Sequence, residues 1–325
     1  FDELNGTVYT TKDLELHAHV VHIRGGKLVV GSPQRPFPAA ANASLVLHGD
    51  RFFSPRRYDG RFPLGVKKLT VHGELSLHGA QRTPWTQLAE TAAPGNSTLR
   101  LTTATDWRAG DDIIISSTSH EGREAETRRI TNVTGNGTEV VLDKPLNFTH
   151  VAMVAGGGGK LIEMRASVGL LTRNVEVVGG NQQDVDRLSG RSIEEQGFGV
   201  CVSAGLWAPT DLRRWQAGTI QASNVAFVRY GQESDRTGEA LRIEAVQSTR
   251  PSYVRSSVFR DGYSGAFYGR NDAVDVPFDF SSNVITGGSS SHHTVKARGV
   301  GNNTLSHNLL VAVGFPLPNL QDRTA

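Results

Sequence analysis

Glu239, Arg242 and Glu244 sit close together in Gly238-Glu239-Ala240-Leu241-Arg242-Ile243-Glu244, and sugar chemistry is the chemistry such residues could serve. Cleaving a glycoside takes an acid and a base or nucleophile held a few ångströms apart. Glu239 and Glu244 have opposite strand parity, so a regular strand sends them to opposite faces. Arg242 stays protonated at neutral pH and is a poor proton shuttle. The same alternation describes a solvated solenoid face. The residues are therefore expected to face a ligand rather than to catalyse, with Asp235 beside them on a loop and Asp272 a further loop acid. No catalytic residue is assigned.

Other stretches invite chemistry and fall short of it. His17 and His19 share a strand face, a spacing that could seat a metal, but the sequence places no third ligand, and no metal or cofactor is expected. His292-His293 follows three serines and reads as a solvent loop. Gly156 to Lys160 lacks the Ser or Thr a phosphate loop needs, since Leu161 follows the lysine, and reads as a flexible connection between domains. Asp111 and Asp112 are adjacent and point to opposite sides of a strand. Glu124 and Glu126 with Arg128 and Arg129 read as a solvated edge, and Cys201, within Val200-Cys201-Val202, as a small buried hydrophobe.

The elements that must position these residues are short strands. Asn174-Val175, Asn224-Val225, Ser257-Val258, Asn283-Val284 and Asn308-Leu309 repeat one phrase at steps of 50, 33, 26 and 25 residues. The first step is either two units of 25 or one coil carrying a large loop. Recurrence at such periods signals stacked units. Each is too short for a helix pair, and its β-branched and aromatic content alternates with polar residues. A polar residue, a short strand and then Gly179, Gly231, Gly262, Gly287 or Gly314 make one rung of a right-handed parallel β-helix. A rung cannot bury its inward face alone, so rungs stack. Val225, Phe227, Val258, Phe259, Val284 and Leu309 are expected in these strands, and the recurring Asn is expected to stack into an amide ladder. Alternating runs also fill residues 14–31, 45–49 and 69–79.

The chain has 325 residues, room for two domains, and 36 glycines suit many tight turns. A formal charge of +2, from 34 Lys and Arg against 32 Asp and Glu, gives no case for nucleic acid. The start at Phe1-Asp2-Glu3 reads as a piece of a longer protein. The pattern Asn-x-Ser/Thr occurs at Asn5, Asn42, Asn96, Asn132, Asn136, Asn147 and Asn302, against roughly two by chance, which predicts a glycosylated extracellular surface.

The order Gly25-Gly26, Gly49, Gly73, Gly79, Trp85, Leu88, Pro94-Gly95, Asp106-Trp107 and Gly110-Asp111 resembles the G-eight domain. Val168-Gly169-Leu170-Leu171 and Arg173-Asn174-Val175 resemble the join from that domain into parallel β-helix repeats. Val225, Phe227, Gly231-Gln232 and Phe259-Arg260-Asp261-Gly262-Tyr263-Ser264 resemble fibrocystin-like receptors, which are large single-pass proteins of the cell surface or cilium. The resemblance implies an all-β chain, with a G-eight β-domain at 1–155 and β-helix repeats at 156–325. It implies an extracellular segment for adhesion or ligand recognition, its partner a protein or glycan, with no membrane contact of its own. The family also includes hyaluronidases, in which a phrase with two histidines follows the Gly-Gln step. Here Leu241-Arg242-Ile243 stands in that place without a histidine. A polysaccharide-cleaving enzyme and a structural spacer are the competing readings.

Overall fold

Period-2 alternation predicts short strands, and the computed structural model, which describes residues 12–49, 65–157, 160–180, 199–207, 216–232, 238–245, 250–271, 277–288, 294–299 and 302–311, consists largely of them. No α-helix occurs among the described residues. The first rung is β1 (Leu14–Ala18), β2 (Val20–Ile23) and β3 (Lys27–Val30), and the second is β4 (Ala43–Leu47), β5 (Lys68–Val71) and β6 (Glu74–His78). The chain then leaves the stack for β7 (Trp85–Gln87), β8 (Thr98–Arg100), β9 (Asp112–Ile115), β10 (Glu126–Thr134), β11 (Glu139–Leu142), β12 (Ala152–Gly157), β13 (Lys160–Arg165) and β14 (Ser167–Leu170). It returns with β15 (Val175–Gly179) and β16 (Cys201–Ala204), a small hairpin of β17 (Leu206–Trp207) and β18 (Gln216–Ala217), and β19 (Thr219–Ser223). Further rungs are β20 (Val225–Val228), β21 (Leu241–Ala245) and β22 (Ser252–Arg255), then β23 (Val258–Gly262), β24 (Phe267–Asn271) and β25 (Phe278–Ser281). The last are β26 (Val284–Gly287), β27 (Val295–Gly299) and β28 (Thr304–Ser306), with β29 (Leu309–Val311) opening one more.

These strands form three parallel sheets, in the orders β1-β4-β15-β20-β23-β26-β29, β2-β5-β16-β21-β24-β27 and β3-β6-β19-β22-β25-β28. This is a three-faced parallel β-helix. Among the described residues it begins at β1, so the expected division at 155/156 does not follow the sheets. Strand β4 pairs with β1 on one side and β15 on the other. The intervening segment is an insertion between the second and third rungs, with an antiparallel sheet β7-β14-β9-β10-β11-β8 and a hairpin β12-β13. The expected flexible connection at Gly156 to Lys160 is corrected accordingly: Gly157 pairs with Lys160 across that hairpin. Because β15 pairs directly with β20, the step of 50 is one coil with a large loop.

Register explains the core. Leu45, Val177, Phe227, Phe259 and Ile285 are successive partners on the first sheet and point inward. Leu69, Val202, Leu241 and Phe267 do the same on the second. Phe227 stacks on Phe259 with centroids 4.7 Å apart, and Phe267 on Phe280 at 4.3 Å. Cys201 is fully buried, as its sequence context predicts, although its strand parity is opposite to that of the inward Val202. The opposite parity of the first sheet is buried too. Ala226, Val258 and Val284 pack against Ile114, Ala125 and Leu171, because the insertion lies on that outer face. A Cβ on Gly169 would come within 2.8 Å of Val284, so only glycine permits that approach.

The amide ladder forms in part. Asn283 donates through Nδ2 to Asn308 Oδ1 at 3.0 Å, and Ser257 N–H donates to Asn283 Oδ1 at 2.9 Å. Val225 N–H in turn donates to Ser257 Oγ at 3.2 Å. Asn224 stands outside the ladder because the register, with Ser223 opposite Arg255 and Ala226 opposite Val258, sets it against Ser256, one position before the ladder. It takes the left-handed conformation itself, as Ser256, Ser282 and His307 do one residue ahead of the ladder in later rungs. Its Oδ1 accepts from Arg82 N–H, and that of Asn174 from Ala80 N–H, so both anchor the chain entering the insertion.

Candidate functional site

The second sheet turns an outward row to one side: Ser203, Arg242, Tyr268 and Lys296 are successive partners on β16, β21, β24 and β27. Period 2 fixes this, since their neighbours Val202, Leu241 and Phe267 point into the core. Arg242 donates through Nε to Glu244 Oε1 at 2.9 Å and through Nη1 to Glu239 Oε2 at 3.1 Å. Its guanidinium carbon lies 4.1 Å from the Tyr268 ring centroid, and Lys296 Nζ lies 5.9 Å from the same centroid. Burial pushes the Arg242 pKa down, but Glu244 and Glu239 outweigh it and the net shift is upward.

This corrects the parity expectation. Strand β21 begins at Leu241, so Glu239 precedes the strand and is not bound by its alternation. Both carboxylates reach one guanidinium, Glu239 from before the strand and Glu244 from within it. The side chains of Glu239, Arg242 and Glu244 are only 14%, 14% and 20% exposed. Asp235, Asp272 and the His292-His293 pair lie outside the described residues.

The solvated edge expected at Glu124 to Arg129 is also corrected. On β10 the alternation buries Glu126 and Arg128 and leaves Arg129 outside, paired with Asp112. Glu126 contacts Arg128 and His150 and accepts from the Asn147 and Phe148 N–H groups. Burial raises its pKa, the two N–H donors, His150 and Arg128 lower it, and the net shift is downward. Asp111 and Asp112 do separate as expected, Asp111 to Arg82 at 2.5 Å and Asp112 to Arg129 at 3.1 Å. A polar cleft of about 480 Å³ lined by Gln81, Arg82, Thr83, Asp106, Asn224 and Ser256 follows this seam. Its cation, Arg82, is already held by Asp106 and Asp111, which marks a joint rather than a reactive centre.

Histidines cluster on the first two rungs in a way the sequence does not show. His17 Nδ1 lies 2.7 Å from His48 Nε2, His22 Nε2 lies 2.8 Å from His72 Nδ1, and His78 Nε2 lies 2.8 Å from the Tyr253 hydroxyl. The partners are separated by 31, 50 and 175 positions, so only the rung register reveals them. Burial takes the pKa of His72 and of His78 down to about 4, with His22 and Arg24 adding to the effect at His72.

A family model, the G8 domain, matches residues 3–89, which span the first two rungs and the entry to the insertion. Fold and match together define a G8-domain protein built on a parallel β-helix. The chain is fibrocystin-like. It is 31% identical to Fibrocystin-L of Homo sapiens over 82% of its own length, and 27% identical to Fibrocystin of Canis lupus familiaris over 89%. It spans 6% of each of those proteins. Among solved structures, the tailspike gp61 of Pseudomonas phage phi297 is similar at a TM-score of 0.29 and 12% identity, over 90% of this chain and 42% of that one. No helix among the described residues is long and apolar enough to cross a membrane.

Proposed function

We propose that this chain is an extracellular recognition segment of a large membrane-anchored fibrocystin-like receptor, at the cell surface or the ciliary membrane. It binds a protein or glycan and carries out no chemistry of its own. The observation that carries this reading is the engagement of Glu239 and Glu244 by Arg242. Both carboxylates hold N–H donors of one cation, so neither stands ready to pass a proton to a sugar oxygen. Arg242 and Lys296 lie over the ring of the buried Tyr268, which holds two cations side by side on this face, and such a row suits a sugar acid or an acidic peptide. Asn42, Asn96, Asn132, Asn136, Asn147 and Asn302 are all exposed, which supports a glycosylated extracellular address.

Two experiments test this. Mass spectrometry of secreted protein should find glycans on most of those six sites, and bare sites would count against the extracellular address. Long-chain hyaluronan incubated with the purified chain, with and without calcium, should keep its size. Shortening that vanishes on Arg242→Ala or Glu244→Gln would instead make this chain a polysaccharide-cleaving enzyme.

A further inference from the structure

We propose that Glu15, His17, His19 and His48 form a binding site for a zinc-class divalent cation that clasps the first rung to the second. Strands β1 and β4 run parallel with Ala18 opposite Leu47, so the residues at the ends of both strands emerge at one corner. His17 Nδ1 faces His48 Nε2 at 2.7 Å, with the ring centroids 5.1 Å apart and the planes 11° from parallel. On the far side of the same ring, His17 Nε2 contacts Glu15 Oε2 at 3.0 Å. The carboxylate there accepts a hydrogen bond from Nε2–H, which holds the proton on Nε2 and leaves the Nδ1 lone pair pointing at His48. This is the outer carboxylate that metal-ligating histidines commonly have.

Two facing imidazole nitrogens with no cation between them share one proton. A zinc ion at about 2.0–2.1 Å from each, in tetrahedral geometry, needs them to part only to about 3.3 Å. The third ligand is His19, on the turn into β2, whose ring centroid lies 6.5 Å from that of His48. Among the described residues no three such side chains already converge on one ion position. The His17–His48 pair is preformed, and His19, an exposed side chain, is the group that turns inward. Neutral imidazoles with a carboxylate behind them favour zinc over calcium or magnesium. The His22–His72 pair has a similar spacing, at 5.0 Å between centroids, but Arg24 acts on both of its rings, whereas Lys67 acts on His48 alone and less than burial and the neighbouring histidines do.

The test is isothermal titration of the whole chain with zinc chloride near pH 7.5, paired with cobalt(II) titration read by visible absorption. One site of micromolar affinity is expected, with the cobalt band of a four-coordinate ion. His17→Ala and His48→Ala should each weaken binding at least about tenfold, and Glu15→Gln by about tenfold as an outer partner. His22→Gln should leave it unchanged. Melting each variant in EDTA separates a lost site from a lost fold: a variant that melts with the wild type yet binds weakly supports the site. Absence of wild-type binding at millimolar zinc would overturn the proposal. So would loss of binding in folded His22→Gln with retention in folded His48→Ala.

Discussion

The β-helix and its insertion are both all-β, yet they bury different things. In the solenoid, successive rungs set like against like. Phe227 stacks on Phe259 of the next rung, and Phe267 on Phe280 across the interior of a single rung, so the core is a column of rings and aliphatic chains. The insertion also has an apolar core, around Trp107, Ile113, Ile115 and Val140, but beside it lies the buried Glu126, Arg128 and His150. Parallel coils repeat one geometry, and a repeated geometry rewards repeated side chains. An antiparallel sheet has no such repeat, and here a charged cluster ties β10 to the Asn147–His150 segment. One region is specified by register and the other by a particular set of donors and acceptors.

Acid should separate the two regions most widely. His72 and His78 hold pKa values of about 4 in the fold against 6.5 unfolded. The unfolded chain therefore binds more protons between those values. Solenoid stability is whole above pH 6.5 and falls as the pH drops towards 4, by at most about 1.4 kcal/mol per pH unit for each histidine. Glu126 is shifted below its usual 4.5, so the insertion keeps its share until the pH falls under 4.5. Hydrogen exchange at descending pH should show amides of β5 and β6 losing protection before those of β9 and β10. The reverse order would break the comparison.

Phe259→Ala should cost about 4 kcal/mol in denaturant unfolding, because stacked rungs cannot close around the void. A loss under about 1 kcal/mol would mean the column tolerates gaps that parallel stacking should forbid. Glu126→Gln should cost about 3 kcal/mol, since it leaves the Arg128 charge buried without its carboxylate. Hydrogen exchange would show the weakening in β9 and β10 rather than in the rungs. Asn283→Ala, which removes one member of the ladder and the donor to Val254 O, should cost about 1–2 kcal/mol. An effect below about 0.3 kcal/mol would mean that water replaces the ladder without loss.

The solenoid was legible because its signal repeats. The phrase around Asn174, Asn224, Ser257, Asn283 and Asn308 marks the first sheet, and the alternation at Val225–Phe227 fixes which side chains point inward. What was not legible is where the stack starts. Leu14–Ile23 alternates like any half-buried strand, and nothing local says that its partner is Ala43–Leu47, or that β4 continues to β15 across the whole insertion. Glu126 and Arg128 were misread because charge suggests solvent, while strand parity with Ile130 pointed inward and should have taken precedence. At the candidate site, Glu239, Arg242 and Glu244 were found from type and spacing. Tyr268 and Lys296 were missed because they join the row only through register across rungs, 26 and 54 positions after Arg242 in the sequence.

The insertion's position bears on how the chain reaches this state at all. Strand β15 must find β4 although about 130 residues separate them, a search that loop-closure entropy makes slow for non-local pairings. The insertion shortens that search if it folds first. Three of its strand pairings, β9–β10, β10–β11 and β12–β13, join neighbours in sequence, and once formed it brings Ala80 to Asn174, where the backbone N–H meets the amide oxygen. The apparent interruption then acts as a splint: the third rung is delivered beside the second, and later rungs add one by one on that edge. Pulse-labelling during refolding should find β9 and β10 protected before β4 and β15. Simultaneous protection would show that the solenoid closes the gap unaided.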